Sequence, residues 1–147
     1  MTVPVFVDTN ILIYSRDARE PVKAKQSAAW LRRLGPDGMI VSPQVLNELY
    51  SVGLTKYKSV GRQALAEWIA ELRPHCTAPL DAGTVTLAME IHRDHALSWW
   101  DCPIVASALL AGCRYLLSED MQHGQSIRSL RLINPFLADP AVILDNS

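Results

Sequence analysis

Short apolar runs alternate with longer stretches of helical periodicity, and that alternation predicts most of the elements of this chain. Val5-Phe6-Val7 is β-branched and aromatic, the composition of a strand buried on both faces. Ile11 to Asp17 follows as a short helix. Pro21 to Leu34 is a longer one, opened by its proline and closed by Gly35-Pro36. Met39 to Val41 is the second strand. Ser42-Pro43 places a cap before a proline at the first helical position, and the helix it opens runs through Glu48 to about Tyr57. Gly61 to Leu72 is helical and ends before Pro74. Cys76 to Leu80 reads as a third strand, kept to an edge by Pro79. Asp81 caps a helix to about His95, Ser98 opens another to Ala111, and Gly112 closes it before the strand Tyr115 to Ser118. Leu130 to Asn134 is the last strand, and a partly ordered tail is expected from about 137 to 147. This order predicts a three-layer α/β/α sandwich with a central, mostly parallel sheet.

Composition narrows the function classes. With 147 residues, 49% of them hydrophobic and 20% charged, the span 1–147 has the size and balance of one ordinary globular domain. Fourteen Lys and Arg against fifteen Asp and Glu leave a net charge of -1, so there is no global basic field. Any polyanion binding must be local or metal-assisted. Cys76, Cys102 and Cys113 are an odd set without a Cys-x-x-Cys spacing, and no signal peptide precedes the first strand, which fits a reducing cytoplasm. No apolar run approaches the roughly 20 residues of a membrane span.

The chemistry lies in acids at element junctions. Asp8 closes the first strand, where open parallel sheets bind ligands, although Asp8 or Asn10 could equally cap the next helix. Glu48 falls at the border of the Val45, Leu49 and Val52 stripe rather than on the opposite face. A border glutamate with a solvated head gives the same pattern. Asp101 points with Ile104, Val105 and Ala108, and a carboxylate centred on an apolar stripe needs a partner. Ser98-Trp99-Trp100-Asp101 could also be a capping box. In Ser118-Glu119-Asp120 an acid again follows a buried strand, where a turn or cap role is the plain alternative. A parallel sheet brings the junctions of Asp8, Asp101 and Asp120 to one edge. Clustered carboxylates need a cation or raised pKa values. Oxygen ligands without histidine or thiolate favour Mg²⁺ or Mn²⁺, which orient a phosphodiester and activate water.

Four segments carry a family resemblance: Val7-Asp8-Thr9-Asn10-Ile11-Leu12, Gln44-Val45-Leu46-Asn47-Glu48, Trp100-Asp101 with Ala106-Ser107-Ala108, and Leu117 to Gly124. In this order the chain resembles the PIN-domain ribonucleases, and Asn134-Pro135-Phe136 looks like the ending of VapC toxins of type II toxin-antitoxin pairs. The resemblance implies a catalytic set of Asp8, Glu48, Asp101 and Asp120, with Asp8, Asp101 and Asp120 holding the metal and Asn10, Ser118 and Glu119 supporting them. It further implies Mg²⁺- or Mn²⁺-dependent cleavage of single-stranded RNA, a homodimer, and a cognate antitoxin whose C-terminal segment enters the groove. Cys102-Pro103 departs from the family pattern, but proline is tolerated in a first helical turn.

Two other readings compete. A phosphatase of the haloacid dehalogenase type needs a second aspartate where Asn10 stands. A Mg²⁺-binding regulatory or scaffolding α/β domain of the receiver kind uses a lysine after a late strand, and Tyr115 to Ser118 offers none. Lys56, Tyr57, Lys58 and Arg62 form a small basic and aromatic cluster suited to phosphate or simply to solvent. His92 and His95 lack a third ligand and read as surface residues, and His123, just after Asp120, reads equally as a contact to substrate or a neighbouring acid and as a loop histidine without a role. Trp99 and Trp100 cannot both face one side of a helix, so one is expected to meet a partner.

Overall fold

The computed structural model describes residues 3–145, so residues 1, 2, 146 and 147 of the expected domain lie outside the described residues. Its strands are β1 (Val5–Val7), β2 (Met39–Ile40), β3 (Tyr115–Leu117), β4 (Ser126–Ile127) and β5 (Leu130–Ile133), in the spatial order β2-β1-β3-β5-β4. Only the β4–β5 pair is antiparallel. The helices are α1 (Thr9–Tyr14), α2 (Pro21–Gly38), α3 (Pro43–Lys56), α4 (Arg62–Leu72), α5 (Ala82–Asp94), α6 (Asp101–Leu110) and α7 (Pro140–Asp145). Together they make the expected three-layer α/β/α sandwich around a mostly parallel sheet.

The strands are short, and burial holds them. Val5, Phe6, Val7, Leu116 and Leu117 are all at 0% exposure, and each such side chain contributes roughly 1.5–3 kcal/mol relative to an exposed one. Register then positions the site. Val7 pairs with Leu117, and Leu117 with Ile133. The ladder continues one step further, with the Asp8 amide donating to the Leu117 carbonyl and the Ser118 amide to that of Ile133, each at 3.0 Å. Asp8 and Ser118 are therefore neighbours at the carboxyl edge of the sheet.

The helices largely follow their sequence signals. Ser42 caps α3 through the Val45 amide, and Asp81 and Thr84 form a reciprocal capping box on α5. Gly35 breaks α2 at φ 69°, and one further turn follows Pro36. Gly53 lets α4 approach α3 closely: a Cβ there would sit 2.4 Å from the Leu65 side chain.

Four expectations need correction. The first helix begins at Thr9 and ends at Tyr14 instead of spanning Ile11 to Asp17, because the Asp8 carboxylate takes the Thr9 amide at 2.8 Å. Cys76 to Leu80 forms no strand. It makes one parallel bridge, Cys76 to Val41, after a single 3₁₀ turn at Arg73–His75. Pro79 has no amide to extend that bridge into a ladder. The helix expected from Ser98 starts at Asp101, because the Ser98 hydroxyl is spent on the Asp101 carboxylate at 2.9 Å and residues 98–101 form a turn. Pro103 lies in the first turn of α6 and leaves the helix intact. Finally, the tail expected to be only partly ordered carries α7 within its described residues, with Ile143 and Leu144 packed on the core and Asp145 paired with Arg33 of α2.

Candidate active site

Each of the four candidate acids comes from a different element. Asp8 ends β1 and caps α1, and its side chain is buried. Its Oδ1 accepts the Thr9 amide at 2.8 Å and its Oδ2 the Ser118 hydroxyl at 2.9 Å. Burial pushes the Asp8 carboxyl up to about 6; those two hydrogen bonds restrain the rise, and the charges of Glu48 and Asp101 add to it. Glu48, half-buried on α3, is clamped from two sides. Its Oε2 accepts the Thr9 hydroxyl at 3.0 Å and its Oε1 the Gln44 amide at 3.1 Å.

Asp101 opens α6 and is half-buried. Burial raises its carboxyl above the ordinary range against the Ser98 hydrogen bond, and the charges of Asp120 and Glu48 push the same way. Asp120 is exposed in the loop after β3, tied to Asn10 Nδ2 at 3.0 Å. A polar relay joins this exposed acid to the buried one. Asn10 Nδ2 also reaches Ser118 Oγ at 3.4 Å, the Asp120 amide donates to the same oxygen at 3.2 Å, and Ser118 donates onward to Asp8. The Ser118 hydroxyl thus uses its one donor and both acceptor positions.

Asp8, Asn10, Glu48, Asp101 and Asp120 line one cleft of about 330 Å³, with Tyr14, Lys56, Tyr57 and Trp100 among its walls. None of the four acids has an ion-pair partner among the described residues, whereas six other acids of the chain do. Negative charge is therefore concentrated and left unbalanced. The donors are all hard oxygens, the set that suits Mg²⁺ or Mn²⁺. Among the described residues, however, no three acid, histidine or cysteine side chains are gathered closely enough to close on one ion. Each carboxylate is held instead by a hydroxyl or amide neighbour.

Other sequence candidates separate clearly. Asn10 and Ser118 stand between the acids as expected. Glu119 does not line the cleft. Its carboxylate pairs with Lys23, which also lies 4.6 Å from the Tyr14 ring centre. Burial would raise Glu119, but Lys23 and Tyr14 outweigh it and hold the carboxyl below its ordinary range. Only the backbone amide of Glu119 joins the relay, donating to Asn10 Oδ1 at 3.3 Å. Of the basic and aromatic cluster, Lys56 and Tyr57 reach the cleft, whereas Lys58 and Arg62 do not line it. His123 accepts the Asn134 amide at 3.0 Å and serves the end of β5. His92 packs edge-on to Trp99 at 5.8 Å, and the buried Cys102 thiol donates to the Ser98 carbonyl. Thr9 and Gln44 went unnoticed as the two clamps on Glu48. Gln44 lies one helical turn before Glu48, a spacing that could have revealed it.

The PIN domain family matches residues 5–125. Among solved structures, the chain is similar to VapC20 of Mycobacterium tuberculosis, described as a toxin that cleaves the sarcin-ricin loop. The TM-score is 0.54 and the identity 20%, over 79% of this chain and 91% of that one. This likeness is one of fold. No curated protein matches the chain.

Proposed function

Because the chain belongs to the PIN-domain family, we propose that it is a Mg²⁺- or Mn²⁺-dependent endoribonuclease cutting single-stranded RNA, and the toxin of a type II toxin-antitoxin pair. One observation carries the reading: four acids from four elements meet in one cleft, none of them in an ion pair among the described residues and with Lys56 the only cation in the lining. A pocket that accumulates such charge, and holds a buried aspartate up near 6, favours a hard divalent cation. Asp8, Asp101 and Asp120 would hold the ion partly through waters that it retains, with Glu48 completing the acidic catalytic set. When bound, such an ion orients a phosphodiester, lowers the pKa of water and stabilises the leaving oxygen.

The protein's own residues supply order. Thr9 and Gln44 fix Glu48, and the Asn10-Ser118 relay fixes Asp8 relative to Asp120. Asp8 is the immobile member, because both of its oxygens are committed to groups in the sheet edge. Asp120 is exposed and loop-borne, hence the acid best able to adjust to an incoming phosphate. Lys56, with no ion-pair partner among the described residues, offers the cleft's one ammonium group for the RNA backbone.

The resemblance to VapC toxins extends the reading to a cytoplasmic homodimer silenced by an antitoxin segment lying in the cleft. No helix among the described residues is long and apolar enough to cross a membrane. A phosphatase of the haloacid dehalogenase type is disfavoured, because position 10 holds an asparagine whose amide is engaged with Asp120. The direct test uses purified protein and end-labelled single-stranded RNA. Cutting should require Mg²⁺ or Mn²⁺, stop with chelator and vanish in Asp8→Asn. Cutting that survives chelation, or a fully active variant, would sink the assignment.

A further inference from the structure

Among the described residues, Trp100 is the largest apolar side chain left in solvent, at 72% exposure. It stands between two concavities. One is the acidic cleft. The other is a groove of about 520 Å³ that shares Glu48 and Trp100 with the cleft and continues over Pro43, Leu80, Val85 and Pro103. Leu80 and Val85 are themselves 41% and 42% exposed. An apolar shelf thus runs directly off the acids. Trp99 does not offer its neighbour's kind of surface, being half-buried against His92.

The backbone under Trp100 is indexed to the acids. Gln44 Nε2 donates to the Trp100 carbonyl at 3.2 Å and to Glu48 Oε1 at 3.1 Å. The main chain that carries the indole is therefore held beside the Glu48 carboxylate. Asn47, one turn beyond Pro43 on α3, lines the same groove with an exposed carboxamide that has no intramolecular partner among the described residues. A flat aromatic face, an apolar floor and one free amide donor-acceptor pair are the parts that hold an unpaired base.

We propose that this groove is a nucleobase subsite: the base next to the cleaved phosphodiester stacks on Trp100, and its polar edge is read by Asn47. The proposal rests on the ribonuclease reading above and adds how the strand is gripped. Electrostatics makes such a grip necessary. The chain carries a net charge of -1, and the cleft offers Lys56 alone against four acids, so phosphate attraction is weak. Stacking does not depend on charge and is sequence-tolerant, and it is available only to a base that is not already paired. The groove thereby selects single strands, while Asn47 contributes a base preference.

The test measures binding apart from cutting. In an Asp8→Asn background with Mg²⁺ present, the anisotropy of a labelled short single-stranded RNA reports affinity, and a gel of the same samples reports whether the RNA stays whole. Trp100→Ala should weaken binding by roughly 10- to 100-fold, the effect of losing one stacked base, and Trp100→Phe should restore most of it. A single abasic position stepped along the RNA should cost the Trp100 protein a similar factor at one place and cost Trp100→Ala nothing further there. Unchanged affinity in Trp100→Ala overturns the subsite, as does a loss that phenylalanine does not restore or one indifferent to the abasic position. A variant that binds RNA normally but no longer captures a protein partner also overturns it, and assigns the face to that partner. Metal-dependent cutting by the chain with Asp8 intact decides the ribonuclease reading separately. If cutting persists while Trp100→Ala binds normally, only the subsite falls.

Discussion

Helix α1 has a buried aspartate near each end, and the two live in opposite electrostatic worlds. Asp17, just past its C-terminus, receives Arg19 Nε at 3.0 Å and Nη2 at 3.2 Å, the Arg19 amide at 3.0 Å and the Tyr57 hydroxyl at 2.9 Å. The Arg19 hydrogen bonds bring its carboxyl down to about 2 in spite of burial. Asp8, at the N-terminus, has no cation to offset its burial, and burial, seconded by the charges of Glu48 and Asp101, raises it to about 6. The same side chain, buried to a similar degree, is neutralised from within at one end and left in deficit at the other. Glu119 belongs with Asp17, since Lys23 supplies its counter-charge. Burial without an internal cation separates the candidate site from buried acids such as Asp17 that carry their own counter-charge.

The sharpest way to break the comparison is to remove each carboxylate in turn. Asp8→Asn should cut RNA cleavage by at least about 10³-fold if a bound ion supplies several kcal/mol of the barrier reduction. Asp17→Asn should leave the metal dependence intact, and equal losses in initial-rate assays would erase the contrast.

Stability should move the other way. Asp8 has a folded pKa of about 6 against 3.8 in a free chain, so its contribution is fully present below 3.8 and lost as pH rises through 6. With chelator at pH 7.5, Asp8→Asn should therefore be more stable than the parent by roughly 2–3 kcal/mol. Urea titrations should show that gap closing toward pH 4, and Mg²⁺ should narrow it at neutral pH by stabilising only the parent. A variant less stable at pH 7.5 would contradict the charge deficit.

Cutting the relay should be milder. Ser118→Ala and Asn10→Ala leave all four acids in place but free Asp8 from Asp120, and groups that orient metal-binding side chains typically matter by about 10- to 100-fold. Mg²⁺ titrations of activity should show a weakened metal affinity, with half-maximal activity shifted to higher Mg²⁺, and unaltered titration curves would remove the relay from the site. The smallest effect is expected at Asp17. Its folded carboxyl lies near 2 against 3.8, so its stabilisation is present above 3.8 and fades as pH falls through 2. Asp17→Asn should melt earlier than the parent at pH 7 and alongside it near pH 2.

Much of this arrangement was legible in the residues. A parallel sheet places the residue after each buried strand on one edge, so Asp8 and Ser118 to Asp120 could be read from Val5–Val7 and Tyr115–Leu117. Glu48 was visible from its border position on the α3 stripe, and Asp101 from Ile104, Val105 and Ala108. What escaped depends on contacts between elements distant in the chain. The Thr9 hydroxyl meets Glu48 across 39 residues, and no local pattern carries that. Glu119 reads from the sequence as a supporting acid beside Asp120, but Lys23 of α2 draws its carboxylate away from the cleft. Ser98 has the chemistry of a cap but was drawn to a carboxylate, which moved the start of α6 to Asp101. Strand β4 spans only two residues, too short for alternation to reveal.

The relay also sets a clock. Asn10 and Asp120 are separated by 110 residues, as are Asp8 and Ser118, and β3 must pair with β1 before either bond can form. A chain emerging from the ribosome N-terminus first therefore exposes Asp8 and Glu48 long before it can position Asp120. Translation stopped short of residue 118 leaves a fragment with three of the four acids but without Ser118 and Asp120, to which the relay is tied. Assembly of the site thus waits for residues 115–120 to be made, however early Asp8 and Glu48 leave the ribosome.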